Sequence, residues 1–170
     1  LVPSWTRDLT GARPIINARA DTLSERPSFH GPLARHRCLV PATGFYEWQK
    51  SGTQKVPVYI RRKDQALFAF AGLFDILKGM DPPLWTFTII TTEPNALVAR
   101  FHDRMPAILQ PRDEARWIAP GPIGEGERKA ILSPCPDDIL EAYPVSKAVN
   151  DPQQDGPHLI QRSGDRTLDL

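Results

Sequence analysis

Between Arg37 and Thr91 turn signals cut the sequence into strand-length pieces, and this spacing limits the fold more than any other feature. Arg37–Val40 and Phe45–Gln49 read as strands separated by Pro41-Ala42-Thr43-Gly44. Lys50-Ser51-Gly52-Thr53 predicts a hairpin turn into Val56–Arg61. After Lys63-Asp64 comes Leu67–Leu73, an almost continuous apolar run suited to a strand covered on both faces. Leu84–Thr91 is the most β-prone segment, because branched and aromatic side chains fit a pleated, half-buried surface.

Helices are irregularly placed among these strands. Ser28 predicts the cap of a helix running through Phe29, Leu33 and His36, with Pro32 close enough to its start to be tolerated. Asn95 predicts the cap of a short helix from Ala96 to Phe101, ending at His102-Asp103-Arg104. Pro111–Ile118 and Glu125–Leu132 read as surface helices, the first with acids in its opening turn and Arg116 later, as the helix dipole favours. Ile139–Val145 predicts a last strand, and Arg162 to Leu170 a mobile tail. Strands without a βαβα rhythm predict an α+β class: one strand-rich domain of short, mixed, mainly antiparallel strands flanked by short helices.

Length and composition narrow the function classes. A chain of 170 residues fits one domain with a real core. No apolar run approaches the ~20 residues of a membrane helix, and no charged-then-apolar leader opens the chain, so a cytosolic protein is the default expectation. Cys38 and Cys135 lie far apart and match no metal spacing, and His30, His36, His102 and His158 are equally dispersed. Neither a metal site, a cofactor nor a disulfide is expected. A net charge of +1 supplies no global basic field. Locally, Leu1–Arg37 carries six Arg against three acids, whereas Pro111–Glu141 carries four basic residues against seven acids. Such a dipole can present a basic face to a polyanion, and it reads equally well as two solvated surfaces.

Four stretches put polar residues where the surrounding pattern predicts a core. Asn17 and Arg19 follow Ile15-Ile16 directly, and Glu47 sits between large aromatics in Gly44-Phe45-Tyr46-Glu47-Trp48. Phe101-His102-Asp103-Arg104-Met105-Pro106 offers an imidazole, a carboxylate and a guanidinium at a helix end, and Val145-Ser146-Lys147-Ala148-Val149-Asn150 adds small polar groups and a lysine. Strand alternation places Phe45 and Glu47 on one face and Tyr46 and Trp48 on the other. Taken from its neighbours alone, Glu47 reads as a solvent-facing strand residue; burial would instead raise its pKa and make it a usable proton donor or acceptor. His102 reads also as a helix C-cap, Asn17 as a turn residue and Asp103 as an ion-pair partner of Arg104. Singly, none of the four establishes a site.

In order, however, PSW, INARA, RCLVPATGFYEW, FAGL, TFTIITT, HDRMPAIL and VSKAVN resemble the SRAP family, first labelled SOS-response-associated peptidase. The resemblance runs from Leu1 to about Gln161 and implies a barrel-like strand core. It also implies a function: an abasic-site sensor on single-stranded DNA, monomeric, cytoplasmic and at the bacterial nucleoid during DNA damage. In the family an N-terminal cysteine attacks the ring-opened aldehyde of the lesion. Its α-amine forms a Schiff base and its thiol closes a thiazolidine. An α-amine titrates at about 7.7–8.0, so a useful fraction is neutral at physiological pH.

Carried over by resemblance, Asn17 positions the reacting terminus, Glu47 shuttles protons during sugar ring opening and release, and His102 stands beside the deoxyribose oxygen and phosphate. Arg19 and Arg104 hold the DNA backbone, which gives affinity without sequence preference. Trp5 stacks on a base beside the lesion, and Arg26 and Lys147 are further phosphate candidates. Cys38, in an apolar β-like stretch, and Cys135, between two prolines, read as structural. Leu1-Val2-Pro3-Ser4-Trp5 begins inside a family block usually preceded by Trp-Gly, so the expectation is of a chain cut upstream, with the catalytic cysteine among the missing residues. As written, the chain is expected not to form the thiazolidine. Two competing readings are a thiol-dependent peptidase or hydrolase with His102 as base, and a non-catalytic module binding single-stranded or modified DNA.

Overall fold

The strand-rich middle of the chain folds as two separate sheets in the computed structural model, which describes residues 1–164. In chain order the elements are β1 (Asn17–Arg19), α1 (Pro27–Arg35), β2 (Arg37–Ala42), β3 (Phe45–Ser51), β4 (Gln54–Arg62), β5 (Phe68–Leu77), β6 (Leu84–Thr92), β7 (Met105–Pro106), α2 (Pro111–Ile118), α3 (Glu125–Ile131) and β8 (Leu140–Pro144). The α+β class and the mainly antiparallel pairing are as the sequence predicts. Among the described residues both sheets are open, and neither closes into a barrel. They belong to two compact units, one made of Leu1–Pro41, Phe68–Glu93 and Met105–Cys135, the other of Ala42–Leu67, Pro94–Arg104 and the chain from Pro136 onward.

In the first unit the sheet order is β1-β6-β5-β2, with β7 also on β6. β6 runs parallel to β1 and antiparallel to β5 and β7. It alternates as a half-buried strand should, Thr88 and Ile90 inward, Trp85 and Phe87 outward and exposed. β5 is buried without a break from Phe68 to Leu73, which is what its uninterrupted apolar run predicts. Leu23, Phe29, Leu33, Leu73, Ile90, Trp117 and Ile131 form one core between sheet and helices.

The buried guanidinium of Arg37, on β2, organises this core. Nε donates to Trp117 O at 2.5 Å, Nη1 to Leu33 O at 2.6 Å, and Nη2 to Gly121 O at 3.0 Å and to Ala119 O. Leu33 and Trp117 lie in the last turns of α1 and α2, where carbonyls have no partner within the helix. One side chain therefore caps two helix C-termini. Trp117 answers by donating its indole N–H to Cys38 O at 3.1 Å.

Local boundaries differ from expectation at α1. The helix starts at Pro27, with Arg26 in the cap position and no side-chain cap from Ser28, so Pro32 lies inside it. Proline's fixed φ at the first helical position initiates the turn in place of a hydroxyl. Asn95 does cap, accepting from the Val98 N–H at 3.0 Å, but only a 3-10 turn over Val98–Arg100 follows.

In the second unit β3, β4 and β8 form an antiparallel sheet with β4 in the middle and β3 at an edge. Tyr59, Tyr143 and Val145 are its small core, joined by Tyr46, Val149 and Ile160. Val145 bridges Arg162, and Ser163 N–H donates to Pro144 O at 3.0 Å. Residues 165–170 of the tail expected to be mobile lie outside the described residues.

Gly44 is required by close approach. A Cβ there would lie 2.3 Å from Tyr59 Cζ and 2.6 Å from the Ile60 carbonyl oxygen, with the Tyr59 hydroxyl held 2.9 Å from Thr43 Oγ1. Gly44→Ala is expected to lower stability by about 1–3 kcal/mol in urea unfolding, whereas Gly79→Ala, with open space around the new methyl, should stay within about 0.5 kcal/mol of the parent.

Candidate functional site

Because β3 is an edge strand, side chains from both of its faces border one cavity of about 600 Å³, lined by Glu47, Trp48, Lys50, Lys55, Phe101, His102 and Asp103. The chain from Pro94 to Arg104 reaches this edge through the Asn95 cap and the buried Val98, whose carbonyl accepts from the Phe101 and His102 N–H groups at 2.9 and 3.0 Å. His102 is thereby set at the cavity by the backbone, with its ring half exposed.

Glu47 is half-buried, and its carboxyl titrates above the ordinary range. Burial is the main cause; the nearby Asp103 charge adds to it, while His102 and the Trp48 backbone N–H oppose it. His102 Nδ1 accepts from the Arg104 backbone N–H at 3.0 Å, which leaves the proton of the neutral ring on Nε2. The same Nδ1 is 3.0 Å from Asp103 Oδ1. A neutral ring satisfies the N–H and a protonated one satisfies the carboxylate, so either charge state of His102 has a partner in place. A carboxyl whose pKa is raised by burial, sharing a cavity with an imidazole, is suited to give and take protons at a bound group.

The segment Val145–Asn150 is seated on this hairpin. Trp48 Nε1 donates to Asn150 Oδ1 at 2.8 Å, Lys147 Nζ lies 3.5 Å from Gln54 Oε1, and Ser146 Oγ caps the 3-10 turn by accepting from the Ala148 N–H at 3.2 Å.

Of the residues singled out from sequence, Glu47 and His102 line the same cavity, with half-buried Arg104 two residues beyond His102 and exposed Lys147 against the hairpin. The others belong to the first unit. Asn17 and Arg19 are exposed on one face of β1, opposite Ile89 and Thr91, and Arg19 forms a two-pronged ion pair with Asp21 at 2.7 and 3.2 Å. Arg26 is exposed at the start of α1. Trp5, 57% exposed, borders a second cavity of about 600 Å³ with Arg35, His36, Asp75 and Lys78. Sequence reasoning missed Lys50 and Lys55 as cavity residues. Their signal was present, since a turn centred on Gly52-Thr53 puts residues 50 and 55 directly opposite each other. Trp48 figured only as an aromatic flank of Glu47.

Neither cysteine forms a disulfide. Burial pushes the Cys38 thiol up to about 11, and Cys135 is buried at 3% exposure. Both settings disfavour a nucleophilic thiolate. Among the described residues no group of His, Cys, Asp and Glu is arranged to hold a metal ion, and no helix is long and apolar enough to cross a membrane.

Residues 1–152 match the family model described as SOS response associated peptidase (SRAP). The abasic site processing protein YoqW of Bacillus subtilis (strain 168) is 45% identical over 165 residues, covering 95% of this chain and 73% of that one. The abasic site processing protein HMCES of Gallus gallus is 34% identical over 187 residues, covering 94% of this chain and 54% of its own. A crystal structure of a protein from Bacteroides thetaiotaomicron superposes with a TM-score of 0.86 at 36% identity, covering 96% of this chain and 74% of that one.

Proposed function

The chain belongs to the SRAP family, and on that premise we propose that it processes abasic sites in single-stranded DNA, with residues 1–161 assigned to one SRAP domain. The observation that carries this reading is the cavity at the β3 edge, where a half-buried, hard-to-ionise Glu47 shares one space with His102 and is bordered by two lysines and a tryptophan. The names of the curated relatives support the substrate. The cations and the indole suit a backbone phosphate and an unstacked base.

In this reading Glu47 donates a proton to the ring oxygen as the deoxyribose opens and takes it back on reversal. His102 stands at the sugar and its phosphate, and Arg104 and Lys147 hold backbone phosphates. Asn17 serves the reacting terminus, and Trp5, Arg19 and Arg26 engage flanking DNA. Covalent capture requires an N-terminal cysteine. Its amine condenses with the aldehyde, releasing water, and its thiol adds across the imine while a proton moves to nitrogen. The two cysteines of this sequence are internal and do not supply that step.

The peptidase reading needs an accessible thiolate, which Cys38 and Cys135 do not offer. The test is incubation of the chain, with an upstream cysteine exposed as its N-terminus, with a single-stranded oligonucleotide carrying one abasic site. A band that survives denaturation and disappears when that cysteine becomes alanine is the expected result. Salt-sensitive binding with no covalent band would reassign the protein as a binding module. Peptide cleavage lost in Cys38→Ala or Cys135→Ala would overturn the proposal.

A further inference from the structure

Lys50 on β3 and Lys55 on β4 are cross-strand partners at the end of the hairpin, both exposed and both lining the cavity that holds Glu47 and His102. Like charges directly opposite each other on neighbouring strands destabilise a sheet. Among the described residues neither ammonium forms an ion pair, although the carboxylates of Glu47 and Asp103 line the same cavity, and a third cation, Lys147, lies 3.5 Å from Gln54 at the hairpin end. On the same strand face the next positions inward are Trp48 and its partner Pro57. Two cations outside any ion pair, followed by a partly exposed indole whose N–H is already held by Asn150, leave two charges and an aromatic surface for an outside group.

We propose that the Lys50–Lys55 pair is a phosphate-binding clamp for the single strand, gripping the phosphodiester next to the nucleotide in the Glu47 cavity. The inference rests on the function proposed above and adds to it a site for the backbone. The bound phosphate supplies the directly paired counter-charge that neither ammonium has, so the pair costs stability in the free protein and contributes affinity in the complex. An ordinary solvated surface pair would do neither in a coupled way.

The experiment measures binding of a single-stranded oligonucleotide, with and without an abasic site, by fluorescence anisotropy across a range of salt concentrations, alongside thermal unfolding of the free protein. The variant is Lys50→Gln combined with Lys55→Gln. Arg112→Gln with Lys129→Gln, on α2 and α3, removes the same net charge elsewhere. The clamp predicts that the lysine variant binds roughly tenfold more weakly at moderate salt, that its log–log salt slope shrinks by about 0.7–1.4, and that its Tm is unchanged or higher by about 1–4 °C. The control should retain the parent slope. A lysine variant with the parent's slope, or a control that loses as much, overturns the clamp while leaving the proposed function standing. If the parent binds neither oligonucleotide, the functional reading falls and the clamp falls with it.

Discussion

Replacing Glu47 with glutamine in a protein able to cross-link is expected to slow capture of an abasic site, or its reversal, by about 10²-fold or more, with DNA affinity nearly unchanged. A positioned acid–base group contributes roughly 10²–10⁴-fold to such steps, and glutamine keeps the shape and hydrogen-bonding reach while removing the transferable proton. The same substitution should stabilise the fold. Burial holds the Glu47 carboxyl above its ordinary pKa, so the folded protein binds that proton more tightly than the unfolded chain does. The native carboxyl thus favours folding below the ordinary carboxylate range, and that contribution is lost as pH rises through its raised value. Glu47→Gln does not titrate. Its advantage over the parent should be absent at acid pH, grow through the carboxylate range and stay level above it. Urea unfolding between pH 3 and 8, paired with single-turnover cross-linking, tests both halves. A variant that loses affinity and keeps its cross-linking rate would make Glu47 an anchor.

Arg37→Met is expected to destabilise the first unit by about 3–5 kcal/mol in urea unfolding, because four carbonyls lose their donor together. Methionine fills much of the arginine stem's volume and donates nothing, so the carbonyls of Leu33, Trp117, Ala119 and Gly121 lose a shared donor. Each buried acceptor left unpaired costs about 1–3 kcal/mol, with partial relaxation keeping the sum below simple addition. Arg37→Lys should recover only a fraction. A compact ammonium cannot reach helix ends that the planar fork spans with several donors at once. A loss below about 1 kcal/mol for Arg37→Met would show that water takes over these carbonyls.

Most of the strand order was legible because period-two patterning and turn residues are local. Leu84–Thr91 and Pro111–Ile118 were placed to within a residue, and Asn95 was identified as a cap. What sequence could not show was which polar residues face inward through tertiary contact. Arg37 counted as one cation of a basic N-terminal stretch, yet it is a structural clamp. No local pattern marks a guanidinium three of whose four partners are about 80 residues away. Glu47 read from alternation as solvent-facing, yet it is half-buried and shares a cavity with Phe101, His102 and Asp103, far along the chain. Lys50 and Lys55 escaped notice because a turn was expected there, and charges beside turns are ordinarily solvated. Seven short blocks in a fixed order supplied the family, where composition and net charge pointed to no DNA partner.

The partial burial of Cys38 and the full burial of Cys135 have a practical consequence for labelling chemistry. With the Cys38 thiol pushed up to about 11, its thiolate is a small minority near neutral pH, and Cys135 is enclosed. A cysteine engineered on an exposed position, such as beside the Glu47 cavity, would be the dominant electrophile target in the folded protein without removal of either native residue. A fluorophore or spin label attached there would report on strand entry against a nearly silent background.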